Sequence, residues 1–358
     1  MVQACRACDS MQLSSLLDCG ELPLSHHLST SKEEALALAR MRLGICEQCE
    51  TIQWSEGWTS NYFQSDRNLY REPERHLDTI AAQLQTLPLP KAFRIGLASE
   101  KDRSLANRLT GGSISNEPPY DLLLARHIAE HSDLLSQSIT EWRSQISPNG
   151  FIYLEVPDAS QAIKTGDVTV LWEQHRLYFS SLTLRRALAM SGLFSTEIFL
   201  PREESRNEGI LAVIAHSHSD PQLLTGGEEK RLALAFPFRV AQQKKFWENY
   251  LEGKKVAALG AGHDLITFLN IHHLGRYLEF VADDDPEKLG RFLPGSQLPI
   301  LPVTAVRRSR VDFCLLAVNA ESEERALTRL TDFREQGGEV VSIYSLSSLA
   351  PPTVHQLS

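Results

Sequence analysis

The sequence has no apolar run long enough to cross a membrane. None of its hydrophobic stretches approaches the roughly 18 residues that a transmembrane helix needs. Its opening residues, MVQACRACDS, lack the charged and then apolar pattern of a secretory signal. We therefore expect a cytoplasmic protein with no membrane partner.

The chain also lacks a positive net charge. It has 36 lysine and arginine residues against 45 aspartate and glutamate residues, a formal net charge of −9. A chain of this charge has no general electrostatic attraction to nucleic acid, so we expect no nucleic-acid partner. Its 358 residues and 42% hydrophobic content suit a globular protein of two or three domains.

Cysteine is sparse, with six residues in the chain, but four of the six are paired. Cys5 and Cys8 form one C-x2-C pair, and Cys46 and Cys49 form another. In a reducing compartment, spaced pairs indicate metal rather than disulfides, and four thiolates complete the closed shell of a structural zinc site. The sequence predicts one such zinc ion; buried cysteines without metal are the alternative.

The centre of the chain has the pattern of a parallel crossover unit. The apolar run Leu122 to Leu124 predicts a buried strand, residues 132–146 have apolar side chains at helical spacing, and FIYLEV after Gly150 predicts the next strand. In open α/β sheets the ligand binds beyond the carboxyl ends of the strands. Those ends carry Arg126, His127, Glu155, Pro157 and Asp158.

Two motifs in this region resemble those of the sugar C-methyltransferases, which are class I enzymes that use S-adenosylmethionine (SAM). One family motif, D-x-x-x-x-x-H-x-x-E-H, closes a strand, and a later one, H-E-H-x-x-Y-F-S, carries the catalytic base. The corresponding residues here are Asp121, His127, Glu130 and His131, and then Glu173, Gln174, His175, Tyr178, Phe179 and Ser180. Two positions of the H-E-H triplet have changed, since Glu173 and Gln174 replace its first histidine and its glutamate.

The resemblance implies an α/β fold in three parts. Residues 1–58 would form a small zinc-binding domain, residues 59–218 a shortened methyltransferase-like parallel sheet, and residues 219–358 a Rossmann-like α/β domain.

The resemblance also implies the chemistry. In the family, a base removes a proton next to a ketone on a nucleotide-linked sugar, and the carbanion takes a methyl group from SAM. The implied catalytic residues are His175 as the base, Tyr62 and His127. A histidine suits this step because its ordinary pKa lies near the operating pH. A buried structural imidazole at His175 and a packing aromatic at Tyr62 are the alternatives.

The cofactor segment departs from the family pattern. Gly96 matches a glycine of the family motif E-I-G-x-x-x-G, but Arg94 replaces its acidic residue, and Glu117 matches a ribose-binding glutamate only faintly. Only 24 residues separate Gly96 from Asp121, whereas a strand-helix-strand unit needs about 30. We expect one short helix and one short strand there, and weak or absent SAM binding.

The carboxyl-terminal part resembles the family's last domain. The turn Gly260-Ala261-Gly262 follows a predicted strand, and Asp283 lies where an acid would bind a ribose. Gly260, Gly262 and Asp283 form a nucleotide site in one interpretation. In the other interpretation, this domain binds no nucleotide and only forms one side of the substrate site. Leu265 favours that interpretation, because it stands in place of the usual third glycine.

Two hypotheses of function follow. The first is a SAM-dependent C-methyltransferase acting on a nucleotide-linked keto sugar or a similar small carbonyl compound. The second is a protein on the same scaffold that no longer uses SAM, either an enzyme with another reaction or a non-catalytic protein with a protein partner.

Overall fold

The computed structural model describes residues 4–59, 74–199, 209–217, 227–345 and 347–351. The described residues form an α/β molecule with three sheets. Within these ranges no helix combines the length and the apolar character needed to span a bilayer.

The amino-terminal sheet is an antiparallel meander completed by a distant segment. Strands β1 (Leu13–Pro23), β2 (Leu38–Cys46) and β3 (Ile52–Glu56) follow one another in the sheet. The fourth strand, β8 (Leu177–Tyr178), belongs to the centre of the chain and pairs antiparallel with β3. The segment just after His175, the predicted base, is therefore an edge strand of the amino-terminal sheet.

The central sheet has six strands in the order β5-β4-β6-β7-β10-β9. The first four are parallel, and β10 runs antiparallel to both β7 and β9. The strands are β4 (Phe93–Leu97), β5 (Gly112–Ile114), β6 (Tyr120–Arg126), β7 (Ile146–Asp158), β9 (Phe194–Phe199) and β10 (Gly209–His216). The helices of this region are α1 (Glu74–Leu84), α2 (Arg103–Ala106), α3 (Leu135–Gln145), α4 (Ser160–Thr165) and α5 (Ser181–Met190).

The predicted crossover of strand, helix and strand is confirmed as β6, α3 and β7. Leu123 packs in a core cluster on one face of the sheet, while Leu122 and Leu124 pack in a cluster on the other. Because both faces are covered, β6 has a continuous apolar run rather than an alternating one.

The interval between β4 and β6 is as short as the sequence predicts. It contains one 3-10 turn, Glu100–Asp102, the four-residue helix α2 and the three-residue strand β5. The prediction of one short helix and one short strand is confirmed.

The structure has three local features that the sequence patterns do not show. Residues 148–150 do not separate α3 from the next strand, because β7 begins at Ile146 and a register shift opposite Tyr120 absorbs the extra residues. Residues 157–172, which are mainly polar in their first half, contain the short helix α4. The cap of α5 is Ser180, whose hydroxyl accepts from the backbone of Thr183 while the Thr183 side chain accepts from the backbone of Ser180.

The carboxyl-terminal sheet is parallel, with five strands in the order β13-β12-β11-β14-β15. Its strands are β11 (Val256–Leu259), β12 (Leu278–Ala282), β13 (Ile300–Leu301), β14 (Phe313–Leu316) and β15 (Glu339–Ser342). The long helix α6 (Glu228–Leu251) precedes it, and α7 (His263–His272), α8 (Thr304–Arg308), α9 (Ala320–Arg329) and α10 (Thr331–Glu335) connect the strands. The predicted second α/β unit is confirmed.

One hydrophobic cluster joins the amino-terminal and carboxyl-terminal sheets. It contains Trp54 of β3, Leu171 of the segment before β8, and Ile266 of α7. The Thr267 hydroxyl of α7 also donates a hydrogen bond of 3.1 Å to the Leu171 carbonyl. The segment that carries His175 is therefore held between two sheets.

Candidate functional site

The four paired cysteines converge at one point. The Sγ atoms of Cys5 and Cys49 lie 3.6 Å apart, as do those of Cys8 and Cys46, and all four sulfurs lie within 4.8 Å of one another. They are free thiols. Four thiolates around a zinc ion, with bonds of about 2.3 Å at tetrahedral angles, lie about 3.8 Å apart. The arrangement is compatible with a structural zinc ion.

The motif around His175 is fixed by backbone pairing on both sides. Tyr178 pairs with Ile52 of β3, and the Trp54 amide donates to the Arg176 carbonyl at 3.2 Å. The Ala159 amide, just after β7, donates to the Phe179 carbonyl at 2.9 Å. The family-like residues Leu177 to Phe179 are buried, so they position His175 by joining the amino-terminal and central sheets.

His175 lies in a cluster of aromatic rings. Its ring centroid is 4.9 Å from that of His131 and 4.9 Å from that of Trp172. Its amide donates to the Trp172 carbonyl at 3.0 Å, which closes a tight turn. Burial, together with the nearby His131 and His263, lowers the pKa of His175 well below 6.5, so its imidazole is neutral at pH 7.

The carboxyl-terminal unit contributes His263 to the same cluster. The imidazole of His263, the first residue of α7, stacks on Trp172 with 4.9 Å between centroids and 28° between planes. Asp264 Oδ1 lies 2.6 Å from His263 Nε2 and orients that ring, and the Tyr344 hydroxyl donates to Asp264. The predicted glycine turn thus delivers a side chain to the neighbourhood of His175.

A buried ionic network lies at the carboxyl ends of the central strands. Arg126 Nε donates to Glu155 Oε2 at 2.6 Å, and Arg126 Nη1 lies 3.5 Å from Asp102 Oδ1. The Tyr153 hydroxyl donates to Glu155 Oε1 at 2.6 Å, and His127 Nε2 lies 3.3 Å from Glu155 Oε2. Ion pairs between side chains of the protein therefore lie at the carboxyl ends of the strands, where open α/β sheets bind their ligands.

The network shifts the ionisation of its members. Burial acts to raise the pKa of Glu155, but the imidazoles of His127 and His76 hold it well below 4.5. Burial likewise acts to lower the pKa of His127, but the Glu130 and Glu155 carboxylates raise it to about 10. Burial raises the pKa of Asp102 to about 6. The central strand ends thus carry a carboxylate and an imidazolium at neutral pH.

Glu130 connects this network with the aromatic cluster. Its Oε1 lies 3.7 Å from His127 Nδ1 and 4.0 Å from His131 Nε2. A ligand atom of His175 also lies within 4.8 Å of the Glu130 carboxylate. The structure therefore brings His127 and His175, two of the predicted catalytic residues, near one carboxylate. The third, Tyr62, lies outside the described residues.

The predicted cofactor contacts have structural partners of their own. A Cβ atom on Gly96 would come within 2.4 Å of the Tyr120 ring, so this position needs glycine to accommodate that ring. The Arg94 guanidinium donates to Ser115 Oγ at 2.9 Å and to the Glu117 carbonyl. The Glu117 side chain is exposed. The residues around Gly96 do not fit a cradle in which a bare glycine backbone meets the cofactor.

The predicted nucleotide residues surround a closed turn. Gly260 has φ of 105°, and a Cβ atom there would come within 2.4 Å of the Ala317 carbonyl oxygen, so only glycine fits. Asp283 Oδ2 accepts the Ala261 amide at 2.8 Å and lies 3.1 Å from Lys288 Nζ. At Gly262, by contrast, a Cβ atom would meet nothing within 4 Å. The Asp283 carboxylate, predicted to bind a ribose, therefore accepts a hydrogen bond from the backbone of the glycine turn at residues 260–262.

Sequence reasoning missed three residues of these clusters. Trp172 stands three residues before His175 and could have been found as part of the same motif. His263 follows the glycine turn directly, but no pattern relates it to His175. Asp102 lies in the polar run ASEKD, which gives no sign that its carboxylate is buried beside Arg126.

Comparisons with known proteins agree with the motifs. Residues 238–344 match the C-methyltransferase C-terminal domain family. The C-methyltransferase NovU of Streptomyces niveus is 21% identical over 374 residues, which cover 95% of this chain and 84% of NovU.

Similar solved structures include two methyltransferases. A 1,6-didemethyltoxoflavin-N1-methyltransferase from Burkholderia thailandensis is 12% identical, with a TM-score of 0.31, covering 41% of this chain and 80% of its own. A SAM-dependent methyltransferase from Clostridium acetobutylicum is 9% identical, with a TM-score of 0.30, covering 42% and 93%. Scores of this size are too low to bear on the activity of this chain. The matched domain family and the relative that aligns along nearly the whole sequence are both C-methyltransferases, so this chain is similar to C-methyltransferases.

Proposed function

We propose that this protein is an enzyme that removes a proton next to the carbonyl group of a small-molecule substrate, with His175 as the base. The substrate class is a nucleotide-linked keto sugar, and the proton removal is the first half of a C-methyl transfer. The observation that carries the proposal is the position of His175 among His131, Trp172 and His263, where the central and carboxyl-terminal units meet.

The surroundings of His175 favour a proton acceptor. Its turn is anchored to two sheets, so the imidazole has a fixed direction. His175 is buried beside the rings of His131 and Trp172, and a buried, preorganised site strengthens proton transfer to a positioned base. The backbone carbonyl of Gln174, which replaces the family's acidic residue, accepts a hydrogen bond of 2.9 Å from His131 Nδ1.

The four-cysteine cluster serves a structural role in this proposal. Cys5, Cys8, Cys46 and Cys49 would hold one zinc ion in a closed shell that leaves no position for substrate. The ion would stabilise the sheet to which β8 is added, and so the segment that carries His175.

A second candidate keeps the proton abstraction but not the methyl transfer. The short interval between β4 and β6 and the Arg126–Glu155 pair at the strand ends favour it. SAM supplies a sulfonium methyl group where it is bound, but the residues around Gly96 do not fit the usual cradle for it.

A calorimetric titration with SAM, combined with mass spectrometry of products from nucleotide-linked keto sugars, separates the candidates. Full C-methyl transfer requires saturable SAM binding and a product with one added methyl group. That product is lost in His175→Ala and kept in His273→Asn, a histidine control at an exposed position. No saturable SAM binding, with proton exchange retained, supports the second candidate. A protein that does neither is non-catalytic, and the proposal fails.

A further inference from the structure

Three potential metal ligands outside the cysteine cluster point toward one another. Glu130, His131 and His175 each offer a ligand atom, and these atoms all lie within 4.8 Å of one another. Glu130 and His131 lie between β6 and α3, while His175 lies on the turn before β8. The arrangement thus combines one carboxylate and two imidazoles from separate segments.

Glu130 has an unsatisfied oxygen in this group. Its side chain is 2% exposed, and Oε2 has no hydrogen-bond partner, whereas Oε1 faces His127 and His131. A buried carboxylate oxygen without a partner is costly, because it has lost water and gained nothing in return. A cation bound by the Glu130 carboxylate would offset that cost.

His131 is oriented as a metal ligand is. Its Nδ1 lies 2.9 Å from the Gln174 carbonyl, and since a carbonyl only accepts, Nδ1 carries the proton. The lone pair is therefore on Nε2, which lies 4.0 Å from Glu130 Oε1. In metal sites, a ligating imidazole usually donates the N–H of its other ring nitrogen to a backbone carbonyl or a carboxylate, which fixes its tautomer and orientation.

We propose that Glu130, His131 and His175 bind a divalent transition-metal ion at a second site, separate from the four cysteines. Two imidazoles and one carboxylate suit zinc, iron or cobalt and leave open coordination positions. Donors around an ion with bonds of about 2.1 Å lie roughly 3 to 3.4 Å apart, so the side chains close in by about an ångström. His131, which is 37% exposed, has room to move.

The site goes beyond the proton abstraction proposed above. A nitrogen of His175 that binds a cation accepts no proton, so ion and substrate proton compete for the same imidazole. Metal binding is measured without turnover, and its failure is therefore distinguishable from a failure of the proposed function.

Cobalt is the probe that separates the two sites. The zinc-loaded protein is titrated with Co²⁺, and bound metal is counted by mass spectrometry. We expect visible d–d bands without the sulfur-to-cobalt charge-transfer bands of the cysteine site, and one ion per chain beyond the zinc. Glu130→Gln and His131→Ala weaken this binding by more than about 100-fold, since even an outer-shell partner is worth roughly 10- to 100-fold.

His273→Asn removes one histidine elsewhere and keeps the binding. If Glu130→Gln does not fold, the exposed His131→Ala carries the test alone. The proposal is overturned if the wild-type protein takes up no cobalt beyond the cysteine site, or if its cobalt affinity is unchanged in the variants that fold.

Discussion

The ring of Trp172 stacks on the imidazole of His263 with 4.9 Å between their centroids. This stack is a contact between the carboxyl-terminal unit and the turn that carries His175. Trp172 precedes His175 in the segment that pairs with β3, while His263 begins α7. His263 directly follows the glycine turn at residues 260–262 and contacts Trp172, and Trp172 in turn packs against His175. The glycine turn is thereby connected to the candidate base through Trp172.

His263→Ala should loosen this turn without unfolding the molecule. An aromatic stack is worth about 0.5 to 1.5 kcal/mol beyond its buried area, and His263 is partly exposed. We expect a fall of a few degrees in the melting temperature, roughly 2 to 4 °C for each kcal/mol, and faster amide hydrogen exchange in residues 172–178. His273→Asn is the control. Unchanged exchange in that segment would show that the stack does not hold the turn.

Loss of one cysteine of the cluster should release zinc and loosen the amino-terminal sheet. In Cys49→Ser a closed shell loses a ligand, and the binding free energy of such an ion is largely folding free energy. Metal analysis and hydrogen exchange should show zinc lost and residues 4–58 less protected. The control is Cys314→Ala, which removes a buried cysteine of β14 outside the cluster; this variant should keep the zinc ion. Wild-type protein purified without zinc would contradict the assignment.

Gly96→Ala should destabilise the central sheet through Tyr120 alone. The new methyl group would lie 2.4 Å from the Tyr120 ring, and overpacking of this kind costs about 1 to 3 kcal/mol. The second substitution Tyr120→Leu should recover part of that loss, which a double-mutant cycle in urea would measure. Additive effects would mean that the ring is not the reason for the glycine.

Asp167 should make the protein less stable as pH rises. Its carboxyl is buried near Asp264, and burial raises its pKa to about 6, against about 3.9 in an unfolded chain. The folded state then binds the proton more tightly. Protonated Asp167 therefore stabilises the folded state fully below about pH 4. This stabilisation, at most about 3 kcal/mol, is lost as the pH rises from about 4 through about 6.

Asp167→Asn should remove that part of the pH dependence. Its amide oxygen keeps the bonds that Asp167 Oδ1 accepts from the Thr169 amide at 2.8 Å and hydroxyl at 2.6 Å. Urea midpoints between pH 4 and 8 should fall less for the variant, which should be the more stable protein at pH 8. Asp102, with a pKa also raised to about 6, is present in both proteins and cancels. Parallel pH curves would refute the assignment.

The elements that sequence could predict are those with local signals. Leu122 to Leu124 predict β6 because a strand covered on both faces is apolar throughout, and the spacing of Gly96 and Asp121 predicts the short interval. The cap of α5 is not decided by local sequence, since Ser180, Ser181 and Thr183 all have capping chemistry, and the structure has Ser180 as the cap.

The site was only partly predictable. His127, His131 and His175 follow from motifs, but their relation to Glu130 depends on the turn before β8 approaching the segment after β6. Gly96 was expected to face a cofactor, and its neighbour is Tyr120, which lies 24 residues away in sequence. Such contacts are set by strand register, which no local pattern specifies.

Proton removal by His175 is tested most directly by the exchange of solvent deuterium into the carbon next to the carbonyl of a nucleotide-linked keto sugar, monitored by NMR in D₂O without SAM. We expect exchange well above the enzyme-free rate, slowed about 100- to 10,000-fold in His175→Ala and unchanged in His273→Asn. Exchange at equal rates in the wild-type and His175→Ala proteins, or no enzyme-dependent exchange with any such sugar, would contradict it.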